Sequence, residues 1–509
     1  MNNYLELQKY RNVLLWIGVI IIAALHIWSL MRYPEVHVDE AWLTSRAWAF
    51  IQTGHQFGPL DSGLENNFKD YWIVNQWLIT VLQAGVLKLS SAPSLFLVRF
   101  LSLMFGFGLL GINFIIGKKL GGQSLAVVST LFLALSRAFF YTAHLARYEI
   151  FAVFFAYAAI AVVICDSRHR FWTGILAGIL TGLAVETHLN SLIFIPALGV
   201  IYLVDDGWRF LRKQGIWGLT VGLMIGAGYY MMLHIFPNPN TFSTANSLVF
   251  GKAYIPPLLT LNLDKILSGF SDAGMLLLVG VYTMVALGLI QILAIIQKHD
   301  RLKINMLLIN GILFLGAALV MPKKSAQYTI LLTPAFLWLV ADFCIDYFKQ
   351  PWQRKIWNYA SRVFVLGCIV GSFAFSLKEI IPDNYKKYQD TQAKVNAIIM
   401  DQDTVMGNQW YWFGLYTHRY YSWELLFLYP RVYPEKTLAD AFNYYRPDVL
   451  IIDQQLNTLI SDTVPPNSFW YSYHLPKSEL DDYLARHALL SEVIKTELYG
   501  DIRIYRFTW

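Results

Sequence analysis

Charge is what this sequence most lacks. Asp, Glu, Lys and Arg together supply 15% of its 509 residues, against roughly 25% in a soluble globular chain, and the shortfall is too large for a soluble multidomain protein. Cysteine is also scarce. Cys165, Cys344 and Cys368 are the three in the chain. All lie in or beside apolar runs without metal-ligand spacing, which leaves no disulfide framework and reads them as small buried hydrophobes. The first apolar run, Val13 to Met31, lacks a small-residue cleavage site and is long for a signal-peptide core, so it is expected to be retained. Internal repeats and low-complexity segments are not evident.

Apolar residues are abundant instead, at 56% of the chain, with a mean hydropathy of +0.43. Crossing a hydrocarbon core of ~30 Å takes about 20 such residues. Runs of this kind fall at 13–31, 95–117, 124–143, 149–165, 171–187, 190–205, 216–235, 274–297, 304–321, 327–347 and 361–378. A further stretch, 71–89, is interrupted by Asn75, Gln76, Gln83 and Lys88 and reads as a helix on or dipping into the interface. The expectation is a polytopic α-helical membrane protein with about eleven transmembrane helices.

The loops carry an independent signal. Lys9/Arg11, Lys118/Lys119, Arg168/Arg170, Arg209/Arg212/Lys213, Lys298/Arg301/Lys303 and Lys349/Arg354/Lys355 occupy alternate loops, which the positive-inside rule assigns to the cytoplasm. The N-terminus is then cytoplasmic and the C-terminus outside. Residues 1–378 form the membrane module, with a first outer loop at about 32–94. Residues 379–509 lose the membrane pattern. There, Val395–Met400 and Leu438–Tyr445 read as helix, and Thr404–Met406, Val449–Asp453 and Ile502–Phe507 as strands, which indicates a small extracytoplasmic α/β domain.

The outer loops hold the chemistry-bearing residues. Asp39 and Glu40, flanked by His37 and Trp42, suit a general base or metal ligand, or simply the N-terminus of a helix starting near Ala41. Arg147 and Glu149 sit in a tight turn between apolar runs, where charge is costly unless paired or wet; a structural salt bridge is the plain alternative. Glu186 and His188 mark a hairpin tip that either lines a polar cavity or is an ordinary polar turn. Lys323 and Lys324, with Tyr328, run against the positive-inside trend and suit a phosphate at headgroup depth, although snorkelling would also place them there. Lys69 with Tyr71 and Trp72 could join the same site. A base and a ring of cations together fit transfer of a sugar from a lipid phosphate to a hydroxyl. The carboxylate takes the acceptor proton, the cations stabilise the leaving phosphate, and the anomeric carbon passes through an oxocarbenium-like state.

At these residues the chain resembles the lipid-phosphosugar-dependent glycosyltransferases of the GT-C fold, on the side of the prokaryotic relatives of protein O-mannosyltransferases and lipid A aminoarabinose transferases. His37-Val38-Asp39-Glu40 followed by Gly54 resembles the family's first-loop motif. Ala146-Arg147-Tyr148-Glu149 resembles its Ala-Arg-Pro-Glu turn, with Tyr148 replacing proline. Gly182-Leu183-Ala184 through His188 to Pro196 resembles its hairpin, and Lys323-Lys324 with Tyr328 and Pro334 its late outer loop. Phe68-Lys69-Asp70-Tyr71-Trp72-Ile73 is similar to a shortened aminoarabinose-transferase segment. The resemblance covers about residues 10–350 and rests on the order of the motifs rather than on any single one.

It implies Asp39 and Glu40 as the catalytic carboxylates, with Asp39 the base, and inversion at the sugar. It further implies Lys69, Arg147, Glu149, His188, Lys323, Lys324 and Tyr328 around the donor phosphate and sugar, with Glu40 and Glu149 orienting their neighbours or the sugar. The implied partners are a polyprenyl-phosphate-linked sugar donor, an acceptor protein, lipid or glycan, and the bilayer, but no nucleic acid. The implied place is the cell membrane, with the site and the C-terminal domain extracytoplasmic. No cofactor is required by the pattern. His37, Asp39 and Glu40 could hold a divalent metal, but no His/Cys constellation argues for zinc. The alternative is a transporter or flippase of a lipid-linked or anionic substrate, which would place charge near the midplane and often carry repeated halves. A surface protein that binds glycans or partners through its tail would leave the charges in tight membrane turns unexplained.

Overall fold

The computed structural model describes residues 2–61, 76–166, 168, 170–242, 290–293, 296, 301–321, 326–349, 356–463 and 474–509. The helices of its first part are α1 (Asn2–Ser29), α2 (Val38–Thr53), α3 (Trp77–Leu87), α4 (Leu95–Ala134), α5 (Arg137–Ala143), α6 (Glu149–Cys165), α7 (Phe171–Thr187), α8 (Phe194–Asp206), α9 (Gln214–Tyr230), α10 (Arg301–Val320), α11 (Thr333–Lys349) and α12 (Ile356–Ile380). Among the described residues, three stretches are long and apolar enough to cross a membrane: Leu95–Ala134, Gln214–Ile235 and Val365–Asn396. Shorter apolar helices accompany them, including α6 and α7, whose seventeen residues each rise about 25 Å. The apolar run at 274–297 lies mostly outside the described residues.

Two expected segments, 95–117 and 124–143, correspond to the two arms of α4, which reverses direction where Gly121 and Gly122 leave helical geometry; Gly122 has φ 76°, and Asn113 Nδ2 on the first arm lies 3.4 and 3.1 Å from Ser129 Oγ and Thr130 Oγ1 on the second. The reversal falls just after Lys118/Lys119, where the loop was expected. The second half stops at Ala134, short of 143, because Ser136 caps a new helix through its Oγ and the Phe139 N–H, 3.2 Å apart. The stretch 71–89 contributes α3, eleven residues long and so about 16 Å, too short to span; it packs against α2. Cys344 is buried as expected, but Cys165, the last residue of α6, is exposed.

Polar pins hold the apolar bundle in register. Trp338 Nε1 donates to Asn113 Oδ1 at 2.7 Å, tying α11 to α4. The Tyr157 hydroxyl donates to Leu331 O (3.0 Å) and accepts from the Ala335 N–H (3.2 Å), fixing the passage from the 3-10 turn Ala326–Leu331 into α11. Lys303 Nζ bridges Asp342 and Asp346 at 2.8 and 3.0 Å.

Glycine brings one helix pair into direct backbone contact. Gly174, Gly178 and Gly182 recur every fourth residue on α7, and Gly218, Gly222 and Gly226 do so on α9. A Cβ at Gly178 would fall 2.6 Å from Leu219 O, and one at Gly182 would fall 2.6 Å from the Gly226 Cα. Backbones thus touch directly, the small-xxx-small mode of helix packing in membranes, and the two helices run parallel.

Residues 404–507 build a five-stranded sheet of β1 (Thr404–Gly407), β2 (Arg419–Ser422), β3 (Val449–Ile452), β4 (Ala488–Lys495) and β5 (Asp501–Phe507), in the order β2-β1-β3-β5-β4. β1 is parallel to both β2 and β3, and the β4–β5 hairpin is antiparallel. The helices include α13 (Asn384–Asn396), α14 (Glu424–Val432), α15 (Leu438–Tyr445) and α16 (Lys477–His487). The expected helix at Val395–Met400 is only the end of α13. Its last turn closes at Ala397, and beyond it Asp403 accepts the Met400 N–H at 2.7 Å in a turn.

Replacing Gly178 by Leu should lower the thermal midpoint in detergent, because over-packing a filled contact costs about 1–3 kcal/mol. Gly199→Ala, where nothing lies within 4 Å of the added carbon, should change it little.

Candidate functional site

Helix α2 begins where it does because its first turn caps itself. His37 Nδ1 accepts the Asp39 N–H at 3.2 Å, and Glu40 Oε2 accepts the His37 N–H at 3.0 Å, a reciprocal capping box. This leaves the two neighbouring carboxylates in opposite situations.

Glu40 is completely buried. Arg99, also completely buried, grips it with Nε to Oε1 (2.8 Å) and Nη2 to Oε2 (2.7 Å). The Ala146 N–H donates to Oε1 at 2.8 Å. The other Arg99 N–H groups donate to Leu30 O, Pro34 O and Glu35 O at 3.3, 3.1 and 3.2 Å. One ion pair therefore joins the end of α1, the start of α2, the start of α4 and the turn before α6. Every Glu40 oxygen is committed to the protein, which is the geometry of a positioning group.

Asp39 points the other way and keeps 31% of its side chain exposed. It is ion-paired to Arg147 Nη1, and that nitrogen also lies 3.2 Å from His37 Nδ1. Arg147 Nε reaches both Glu149 oxygens at 3.2 Å, and Nη2 donates to Glu149 Oε1 at 2.8 Å and to the Tyr148 hydroxyl at 3.1 Å. Arg147 and Glu149 are each almost fully buried, so a guanidinium is held between two carboxylates, one buried and one open. Burial would raise the Asp39 carboxyl, but Arg147, His37 and Arg46 outweigh it and the net shift is downward. Burial, reinforced by Arg147, lowers the His37 imidazole to about 4, so His37 is neutral at physiological pH.

The cluster continues outward through rings. Tyr148 lies 4.8 Å from His188, and His188 5.0 Å from Tyr328, centroid to centroid. His188 Nδ1 accepts the Asn190 N–H at 3.1 Å, so the proton of its neutral ring resides on Nε2. Four separate segments thus bring His37, Asp39, Arg147, Tyr148, Glu149, His188 and Tyr328 together. Lys69, Lys323 and Lys324 lie outside the described residues. Glu186 does not join the cluster. Its Oε1 accepts the Trp77 and Leu78 N–H groups at 2.6 and 3.2 Å and caps α3. Among the described residues, no group of three or more His, Cys, Asp or Glu side chains is placed to hold a metal ion.

Four contributors are absent from the sequence reading: Arg99, Arg46, Asp61 and Glu424. Arg99 stands in plain view inside an apolar run, and an ionisable residue there calls for a named partner. Arg46 and Asp61 form a buried bidentate pair (2.9 and 2.8 Å), with Trp42 Nε1 donating to Asp61 at 2.6 Å; this folds the loop after α2 back onto it. Glu424 reaches the site from the C-terminal domain, and no local pattern announces it. Burial and the charge of Asp39 push its carboxyl up to about 8.

Comparison with solved structures identifies the architecture. The chain aligns with ArnT from Cupriavidus metallidurans bound to undecaprenyl phosphate at a TM-score of 0.60 and 12% identity, covering 96% of this chain and 97% of that one. It aligns with the apo form of the Archaeoglobus fulgidus oligosaccharyltransferase at 0.57 and 10% identity, covering 87% and 70%. Both are glycosyltransferases of the GT-C fold, and this chain has that fold. No protein-family model matches the chain, and no curated protein matches it in sequence.

Glu40→Gln should destabilise the protein by roughly 3–5 kcal/mol, since breaking a buried pair leaves Arg99 uncompensated. A large fall in thermal midpoint in detergent checks this, and Asp39→Asn, at the open carboxylate, should move the midpoint far less.

Proposed function

We propose that this chain is a membrane glycosyltransferase that moves a sugar from a polyprenyl-phosphate donor to an acceptor hydroxyl on the extracytoplasmic face, with inversion. The observation that carries the reading is the pairing of a partly exposed carboxylate, Asp39, with a buried guanidinium, Arg147, in a chain of GT-C fold. The bound undecaprenyl phosphate of the ArnT structure supports a lipid-phosphate donor.

In this reading Asp39 accepts the proton of the acceptor hydroxyl as its oxygen attacks the anomeric carbon. The phosphate leaves from the opposite side, and Arg147 stabilises its charge. The His188 Nε2–H and the Tyr328 hydroxyl add neutral donors, and Lys69, Lys323 and Lys324 add cations. Glu149 holds Arg147 in place, and Glu40 holds Asp39 and Arg147 in register through Arg99. Positive charge in alternate loops supports eleven crossings, a cytoplasmic N-terminus, and a domain at 379–509 lying outside with the site. The transporter reading has less support, because the described charges around Asp39 collect at segment ends and in turns.

Purified protein supplied with a panel of polyprenyl-phosphate sugars should release polyprenyl phosphate in an acceptor-dependent way. Asp39→Asn should cut that turnover on the order of 10²–10⁴-fold while donor binding persists; undiminished turnover would remove Asp39 as the base. Because Arg147 holds the Asp39 carboxyl below the ordinary carboxylate range, the base stays ionised through the neutral and mildly acidic range. The ratio kcat/KM should therefore stay level between pH 7 and 5, and a fall centred near 6.5 would point to a histidine base instead.

A further inference from the structure

The C-terminal sheet packs against the elements of the site with the carboxyl ends of its parallel strands. From β1 the chain passes to β2 on one side and then crosses to β3 on the other, all three parallel. The strand order therefore reverses at β1. In open α/β sheets, ligands bind outside the carboxyl ends of the strands at such a switch point. The residues at that end are Asn408–Tyr411 after β1, Ser422 at the end of β2 with Trp423 and Glu424 after it, and Asp453 after β3. They do not face bulk solvent. The 3-10 turn Gln409–Tyr411 packs on α2, and β2 packs on the turn Pro59–Asp61, which the Arg46–Asp61 pair clamps to α2. Trp410, Tyr411 and Trp412 share one apolar cluster with Ala41, Ala47 and Leu60.

Glu424, the first residue of α14, sits at this junction. Its Oε2 is shielded from solvent and makes no hydrogen bond. Gln409 lies beside it, with Nε2 donating to Ser422 Oγ at 2.9 Å and Oε1, also buried, without a partner. Asp39 is the foremost charge acting on Glu424, followed by Arg46 and Asp61. With its carboxyl raised to about 8, Glu424 is an un-ionised acid at neutral pH. It offers one O–H donor and one carbonyl acceptor beside the carboxylate that takes the acceptor proton.

We propose that Glu424, with Gln409, is the acceptor-binding element of the site and that it recognises a carbohydrate acceptor. The donor phosphate belongs at Arg147, displacement with inversion brings the nucleophile to the other face of the sugar, and the carboxyl from the C-terminal domain on which the Asp39 charge acts is Glu424. A group that both donates and accepts, next to the base, matches the hydroxyl adjacent to the reacting one on a sugar ring. A lone Ser or Thr hydroxyl, already engaged by Asp39, would leave it idle. This inference rests on the transferase reading for the direction of attack.

The test uses full-length protein in nanodiscs, a panel of methyl hexopyranosides and pentopyranosides as probes, and two readouts: glycoside binding by saturation-transfer NMR, and turnover with polyprenyl-phosphate sugars. At least one glycoside should bind. Glu424→Ala should weaken it about tenfold, the size of one lost hydrogen bond, and raise its KM while donor KM stays unchanged. Wild-type affinity should fall as pH rises through about 8, where the O–H donor is lost and a second anion faces Asp39. Glu424→Gln, neutral at every pH, should retain binding and lose that dependence. Glycoside binding that depends on Glu424, without turnover of any donor, would overturn the transferase reading and keep the carbohydrate site. Absence of glycoside binding by wild type, unaltered binding in Glu424→Ala, or equal damage to donor and glycoside KM would overturn the assignment of Glu424.

Discussion

The architecture of the site depends on a single buried ion pair. Glu40 and Arg99 are both withdrawn from water, at a desolvation cost that only good geometry and full hydrogen bonding can offset. Both conditions are met, because each carboxylate oxygen has more than one donor and the guanidinium also serves three backbone carbonyls. The reward is positional. The pair welds the loop after α1, the first turn of α2, α4 and the Ala146 backbone into one unit, so that Asp39 and Arg147, 108 residues apart in sequence, arrive at each other.

That arrangement explains how adjacent carboxylates divide their labour. In a helical first turn, consecutive side chains diverge by about 100°. Glu40, at the capping-box position, turns inward to its own backbone and Arg99. Asp39 turns outward, where Arg147 can meet it and solvent can reach it. A base needs that second environment, and it is stable only because its neighbour accepts the first.

The membrane pattern was legible from hydropathy because an apolar crossing requires length, and length is written locally. The limits of α6 and α7 coincide with the apolar runs at 149–165 and 171–187. Strands β1 and β3 were legible because they are mostly buried and apolar, and β5 because Ile502 and Ile504 alternate inward, whereas β4 is largely exposed at the sheet edge and its sequence carries no matching alternation. The two four-residue glycine registers of α7 and α9 are a local trace of their contact, although neither belongs to a longer repeat. The site itself was half legible. Asp39, Arg147, Glu149, His188 and Tyr328 do converge, and each is an ionisable or aromatic residue at the end of an apolar run. Glu186 looked like one of them and proved to be a helix cap, and Glu424 entered only through the tertiary fold. Contacts made across 300 or more residues leave no local trace.

The threefold commitment of Arg147 has one more consequence. Its N–H groups are occupied by Asp39, Glu149 and Tyr148, so the resting protein supplies its own counter-ions. An arriving phosphate can take this guanidinium only by exchange. Of the two carboxylates, the buried Glu149 has no water to receive it, whereas Asp39 has. Seating the donor then releases Asp39 from the cation that suppressed its basicity. The enzyme proposed above would carry a latent base, armed by the substrate that needs it, and an activated sugar would meet little risk of being lost to water before its acceptor arrives.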